Sequence, residues 1–326
     1  MDTEIKSAVN AADAEAQYDE KVKRLLGNKI ILAHILAKTV DEFLGMDPKD
    51  IVPYIERDPL ISAVLVEPGL TNASDRSSAG VKALAGSRKD GQRIVGLNTE
   101  NAEINEGLIR FDIIFYLRMK DGISKVIINL EAQKDEPTRY HLLNRAVFYA
   151  CRLISSQKER DFVGTNYNDI RRVYSIWICM NMDENSMSYV HLMKDDLLGH
   201  YPWKGDLDLL NMVMIGIANE LSEHDEAYEL HRLLSALLSE DLSVNEKLRI
   251  METEYDIPVS DKIRKDVNEM CNLGQGIRES GEAIGEAKMI LSMHEKGYTL
   301  EQIADVAEKT REQIEAIIEM GEPVLA

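Results

Sequence analysis

Two short segments constrain this chain more than any others: residues 110–117, Arg-Phe-Asp-Ile-Ile-Phe-Tyr-Leu, and residues 125–134, Lys-Val-Ile-Ile-Asn-Leu-Glu-Ala-Gln-Lys. Both are apolar runs of the kind that fills buried strands, and Asp121-Gly122 between them is a hairpin turn signal. Each run nevertheless carries polar groups: Asp112 in the first, Glu131 and Gln133 in the second. Side chains alternate along a strand, so Glu131 and Gln133 share a face while Ala132 and Lys134 point away. If Asp112 faces the same way, one hairpin brings two carboxylates together. A buried carboxylate is costly without a partner, and two side by side ask for a cation. Magnesium suits such a site, because it takes few protein carboxylates and keeps waters and a phosphate oxygen. Ala132 can add its backbone carbonyl, and Gln133 can orient water or phosphate without supplying positive charge. This is the arrangement of a magnesium-dependent phosphodiesterase site.

The surrounding pattern predicts an α/β core. Apolar residues recur at helical spacing from Tyr18 to Leu44, and Asp47-Pro48 starts a shorter helical piece through Ile55. Residues 61–67 read as a strand, 68–92 as a long loop rich in Gly, Ser and charge, and 98–106 as a polar lead-in to the hairpin. An amphipathic helix follows over 138–157, then a buried strand over 172–180, with 187–193 as its hairpin partner. Beyond Asp206 the pattern reads as helices over 206–221, 225–238, 243–254 and 259–295, the last interrupted by Gly274, Gly276, Gly281 and Gly285. Thr299 and Thr310 are N-caps of a two-helix tail. The expected organisation is a core domain over 1–205, a helical extension over 206–295 and a small C-terminal unit over 296–326.

Charge and cysteine content narrow the setting. The 326 residues carry a formal charge of −19, so contact with DNA requires a local basic patch. The three cysteines are far apart and form no CxxC pair, which speaks against a disulfide framework or a zinc site and fits a reducing cytoplasm. Residues 1–20 are acidic and polar, unlike a signal peptide, and no apolar run is long enough to span a membrane.

Asp112 followed by Glu131-Ala-Gln133 and a helix resembles the PD-(D/E)xK phosphodiesterase superfamily. More narrowly, the chain resembles the Rpn-like PD-(D/E)xK nuclease family transposases, over roughly residues 18–320. The segments that carry the likeness are Tyr18–Leu26, Gly96–Glu100, Ile104–Gly107, Asn144–Tyr149 and Val173–Cys179, together with the Gly-rich helix and the C-terminal helical pair. The resemblance implies a restriction-endonuclease-like core with a central mixed β-sheet flanked by helices, plus an all-helical C-terminal extension. It implies magnesium-dependent hydrolysis of DNA, with Mn²⁺ as a substitute ion and a link to recombination or mobile elements. Asp112, Glu131 and the carbonyl of Ala132 would hold the metal, with Gln133 completing the catalytic set. The chain departs from the superfamily pattern at Phe111, where a proline is usual, and at Gln133, where a lysine is usual; Glu-x-Gln is typical of the narrower family. The superfamily also tends to place an acidic residue on the first core helix, for which Glu20 is the candidate by order; Glu100, Glu103 or Glu106, from the segment before the Asp112 strand, are the alternatives.

Arg145, Tyr149 and Arg152 fall on one face of the following helix and are candidate DNA contacts; the competing reading pairs Arg145 with an acidic site residue and packs Tyr149 in the core. Lys21, Lys23, Arg24 and Lys29 form a basic cluster on the first helix that a solvated face explains equally well. His141 and His191 lack zinc spacing. The C-terminal pair reads as a protein contact or a homo-oligomer contact rather than a DNA reader, because Glu312, Glu315 and Glu319 would repel phosphate. The competing functional class is a non-catalytic interaction protein on a nuclease scaffold. A nuclease needs positive charge beside Asp112 and Glu131, whereas a scaffold protein needs an exposed apolar patch.

Overall fold

The computed structural model describes residues 16–61, 100–103, 107–110, 112–119, 125–133, 137–158, 161–222 and 224–320, and the elements below are those of these residues. By its internal contacts the chain divides into two units, one of residues 23–239 and 249–258, the other of residues 1–22, 240–248 and 259–326.

The larger unit is an α/β layer built on a mixed six-stranded sheet. Its strands are β1 (Ile55–Ile61), β4 (Ile113–Arg118), β5 (Lys125–Gln133), β6 (Val173–Met182), β7 (Ser186–His191) and β8 (Leu210–Ala218), in the spatial order β1-β4-β5-β6-β8-β7. A separate two-stranded sheet joins β2 (Glu100–Glu103) to β3 (Gly107–Arg110). The β4–β5 pair is antiparallel, as the Asp-Gly signal predicts, with Ile113 opposite Leu130 and Leu117 opposite Val126. β5, β6 and β8 run parallel, and β7 returns antiparallel to β8.

Helix α4 (Leu142–Ser155) covers one face of the sheet. Its Leu142, Ala146 and Ala150 pack on Trp177, Cys179 and Met212, and Leu153 packs on Ile114 and Val173. α1 (residues 16–26) is separated from α2 (Lys29–Thr39) by Gly27-Asn28; the Asn28 side chain caps α2 by accepting from the Ile30 N–H at 3.2 Å. Seven residues of α2 are buried, Thr39 among them, and Lys29, Ile30, His34 and Lys38 are half-buried, so the helix belongs in an interior. α3 (Pro48–Ile51) is a single turn capped by Asp47, and α5 (Glu229–Leu238) buries Leu230, Leu233, Leu234 and Leu237. α6 (Val244–Thr253) follows.

The sheet corrects several expectations. Residues 206–221 do not form a helix: Leu210–Ala218 is the strand β8, set between β6 and β7. A strand covered on both faces carries apolar residues on both, so it loses the alternation that marks strands and imitates a buried helix. Consequently β7 pairs with β8 and not with β6. The first described strand is Ile55–Ile61, which shares Ile61 with the strand expected over 61–67; residues 62–99, with the rest of that expected strand and the expected long loop, lie outside the described residues. The segment 110–117 is not one strand either: β3 ends at Arg110, β4 begins at Ile113, and Asp112 sits in a bend between them.

In the second unit, α7 (Asp261–Glu295) starts from a Ser260 cap that accepts from the Ile263 N–H at 3.3 Å. Gly274 allows the ring of Tyr18 to lie close: a Cβ there would meet it at 3.4 Å, whereas Gly285 faces open space. α8 (Leu300–Ala307) and α9 (Arg311–Met320) close on the end of α7 around Ile290, Ile303 and Ile314. Thr299 forms a capping box with Gln302, and Thr310 exchanges hydrogen bonds with Gln313, as the cap residues predict. Arg311 is engaged by Glu301 and Glu315, each at 3.0 Å.

Candidate active site

The β4–β5 register places Asp112 opposite Glu131, one step beyond the last regular pair, Ile113 with Leu130. There the two carboxylates take over from the backbone ladder. The Asp112 N–H donates to Glu131 Oε1 at 3.2 Å, and the Ala132 N–H donates to Asp112 Oδ2 at 3.0 Å. This crossed pair satisfies backbone donors that the bend would otherwise strand, which is the local reason for the bend at Asp112. It also fixes both carboxylates. Glu131 is 3% exposed, so its orientation is set by packing as well as by the hydrogen bond.

The two acids share the face of the sheet covered by α4. Glu131 is level with Trp177, which packs under α4, and Ile114, two residues beyond Asp112, packs there too. Lys23, from the end of α1, reaches Asp112 Oδ1 with its Nζ at 2.8 Å, and both side chains are largely shielded from solvent. The strand pattern contains no lysine at the third position of Glu-x-Gln, yet a lysine ammonium is present beside the aspartate, delivered by another element. Lys23 is the site residue that strand patterns overlook. Its only signal in the sequence is membership of the basic cluster on the first helix.

Gln133 belongs to the same constellation. Its Oε1 accepts from Arg145 Nη1 at 3.2 Å. Arg145 also donates to the hydroxyls of Tyr140 at 3.0 Å and Tyr149 at 3.2 Å. The guanidinium lies 4.9 Å from the Tyr149 ring centre and 5.3 Å from that of Trp177, within cation–π range of both. Burial works against the Arg145 charge, but the Tyr149 hydrogen bond and the nearby Glu131 charge hold its pKa above the ordinary value. Burial raises the Tyr149 pKa; Arg145 opposes the rise, and the charges of Glu131 and Asp112 add to it. Tyr149 is therefore a neutral hydroxyl at physiological pH. Arg145 thus binds Gln133 and aromatic groups, and Tyr149 packs against the core, as the competing reading expects of it.

Arg152 stands apart. At 3% exposed it is part of the interior of α4, so the geometry does not offer it to a phosphate backbone. Glu20 is exposed; Glu100 and Glu103 lie on β2; Glu106 and Lys134 fall outside the described residues. His141 is exposed at the start of α4, and His191 stacks on Tyr189 at 5.0 Å. The three cysteines are free thiols.

The donor set fits a hard cation in kind: two carboxylates held together, with oxygen as the only ligand atom. A strand residue directs its N–H and C=O to the same side, so the Ala132 carbonyl faces the same edge as the N–H bound to Asp112. No cluster of three or more His, Cys, Asp or Glu side chains is placed to hold a metal among the described residues. Among the same residues, no helix is long and apolar enough to cross a membrane. Comparison of the chain with family models, with curated proteins and with solved structures gives no match.

Proposed function

We propose that this protein hydrolyses phosphodiester bonds in DNA with magnesium, through a restriction-endonuclease-like core of the PD-(D/E)xK type. The observation that carries the reading is the crossed pair of Asp112 and Glu131 with the Lys23 ammonium 2.8 Å from Asp112. Asp112, Glu131 and the Ala132 carbonyl would hold Mg²⁺, or Mn²⁺ in its place. When bound, the ion supplies Lewis-acid stabilisation of charge on the phosphate and lowers the pKa of water. Lys23 would supply the positive charge that Gln133 does not, beside Asp112, and its ammonium would be a donor for a phosphate oxygen. Arg145 holds Gln133 toward the site, and the Tyr149 hydroxyl is a donor for a phosphate oxygen. The requirement for positive charge beside the acids in an otherwise acidic protein is met by Lys23 and Arg145. A link to recombination or mobile elements follows from the sequence resemblance.

A non-catalytic interaction protein is the second reading, favoured by the exposed apolar segment after β7, where Leu197 and Leu198 are each 97% exposed. The test is nicking of supercoiled plasmid with Mg²⁺ or Mn²⁺ by wild type, Asp112→Ala and Glu131→Ala purified together. Metal-dependent nicking that both substitutions abolish supports hydrolysis at this site. Nicking that survives both places the activity elsewhere, and folded proteins that never nick favour the interaction reading.

A further inference from the structure

The six-stranded sheet has two edges built on opposite rules. At one edge, β1 carries Pro59, which has no N–H to offer, and its register with β4 shifts between Glu56 and Leu60. Proline and bulges are devices by which an edge avoids pairing with another chain. At the other edge, β7 uses neither. Its residues are Ser-Met-Ser-Tyr-Val-His, with no proline, lysine or carboxylate, and its register with β8 is regular from Ser186 to His191. Among the described residues β8 is its one strand neighbour. His231 Nε2 meets the Ser186 carbonyl at 2.9 Å, at the first residue of the strand.

β7 leads directly into a segment, 192–207, without helix or strand. There Met193 and Trp203 are 76% exposed, Leu197 and Leu198 97%, and Tyr201 62%. So many large apolar side chains open to solvent within one short segment mark an interaction surface, and Tyr201 and Trp203 lie ring to ring at 4.7 Å.

We infer that β7 and the 192–207 segment form an interface between two copies of this chain, with the two β7 strands paired antiparallel across a two-fold axis. The occupant follows from charge. In a two-fold antiparallel pair, residues near the axis face their own copies, so any charge there meets its like. β7 avoids this at all six positions in a chain of net charge −19, whose copies repel one another elsewhere. A different partner would impose no such neutrality. Asp195, Asp196 and Asp206 within the segment disfavour nucleic acid and anionic lipid.

The test is sedimentation velocity of the full chain over a hundredfold concentration range. Ser188→Lys, at an exposed position of β7, sets like charges across the axis; Leu197→Asp with Leu198→Asp removes apolar contact; Val306→Asp, on exposed α8, is the control. Circular dichroism verifies folding of each. The expected result is a wild-type dimer whose dissociation constant rises at least about tenfold in both the β7 and the segment variants and is unchanged by Val306→Asp. A wild type that stays monomeric overturns the inference. So does a dimer that survives both sets of substitutions, or one lost only with Val306→Asp, which would place the contact on the C-terminal helices. Binding of the monomeric protein to neutral vesicles through Leu197 and Leu198 would overturn it as well.

Discussion

Lys23 of α1 and Asp112 at the entry of β4 form a 2.8 Å ion pair on the face of the sheet that α4 covers. Both groups are mostly shielded, so the loss of one removes the other's 2.8 Å ion partner in a poorly solvated place. Lys23→Met should therefore destabilise the protein by about 2–3 kcal/mol in urea denaturation, and adding Asp112→Asn should recover most of that loss. Additive losses in the double mutant would show that the pair is not coupled.

The same pair predicts competition. Lys23 and a divalent cation claim one carboxylate, so Lys23→Met should bind Mn²⁺ more tightly than wild type in calorimetry while its nicking rate falls about 10²-fold or more. Unchanged Mn²⁺ affinity would separate Lys23 from the metal site.

Arg145 joins Gln133 to a set of aromatic groups, and its fork and plane do both jobs at once. A lysine ammonium offers neither property. Arg145→Lys should lower stability by about 1–2 kcal/mol, close to the effect of Arg145→Ala, and both should slow nicking. Full rescue by lysine would reduce the role of Arg145 to charge alone.

His34 on α2 lies edge-on to Tyr255 at 5.7 Å, and burial pushes its pKa down to about 4 against the smaller opposing pull of the Tyr255 backbone. The unfolded chain therefore binds a proton at His34 that the folded protein resists. Stability from this group is complete above the unfolded value near 6.5 and declines as pH falls toward about 4, by up to about 3 kcal/mol. His34→Gln should flatten that decline in urea midpoints measured at pH 7 and pH 4.5. An equal decline in wild type and variant would assign the acid sensitivity to other groups.

The hairpin was legible because it is local: two apolar runs, an Asp-Gly turn and the alternation of strand side chains place Glu131 and Gln133 together and put Asp112 across from them. The Asp112 bend was not, because it arises from the exchange of backbone N–H groups and carboxylates across two strands, which no single run displays. In the sequence Lys23 is only one of four basic residues on the first helix, since its approach to Asp112 depends on how α1 meets the sheet. β8 is not legible as a strand because a run buried on both faces has no polar period, and without it in the sheet β7 has β6 as its apparent partner. Arg152 has the spacing of a surface contact, yet its position on α4 turns it inward.

The most direct test of the phosphodiesterase account is plasmid nicking by Glu131→Gln beside wild type in Mg²⁺. The amide keeps the shape of the side chain and an oxygen to accept the Asp112 N–H, so the fold should persist while the carboxylate charge is lost. Hydrolysis at this site requires metal-dependent nicking by wild type and a loss of about 10³-fold or more in Glu131→Gln, with unchanged circular dichroism. Equal nicking by the two proteins would contradict it.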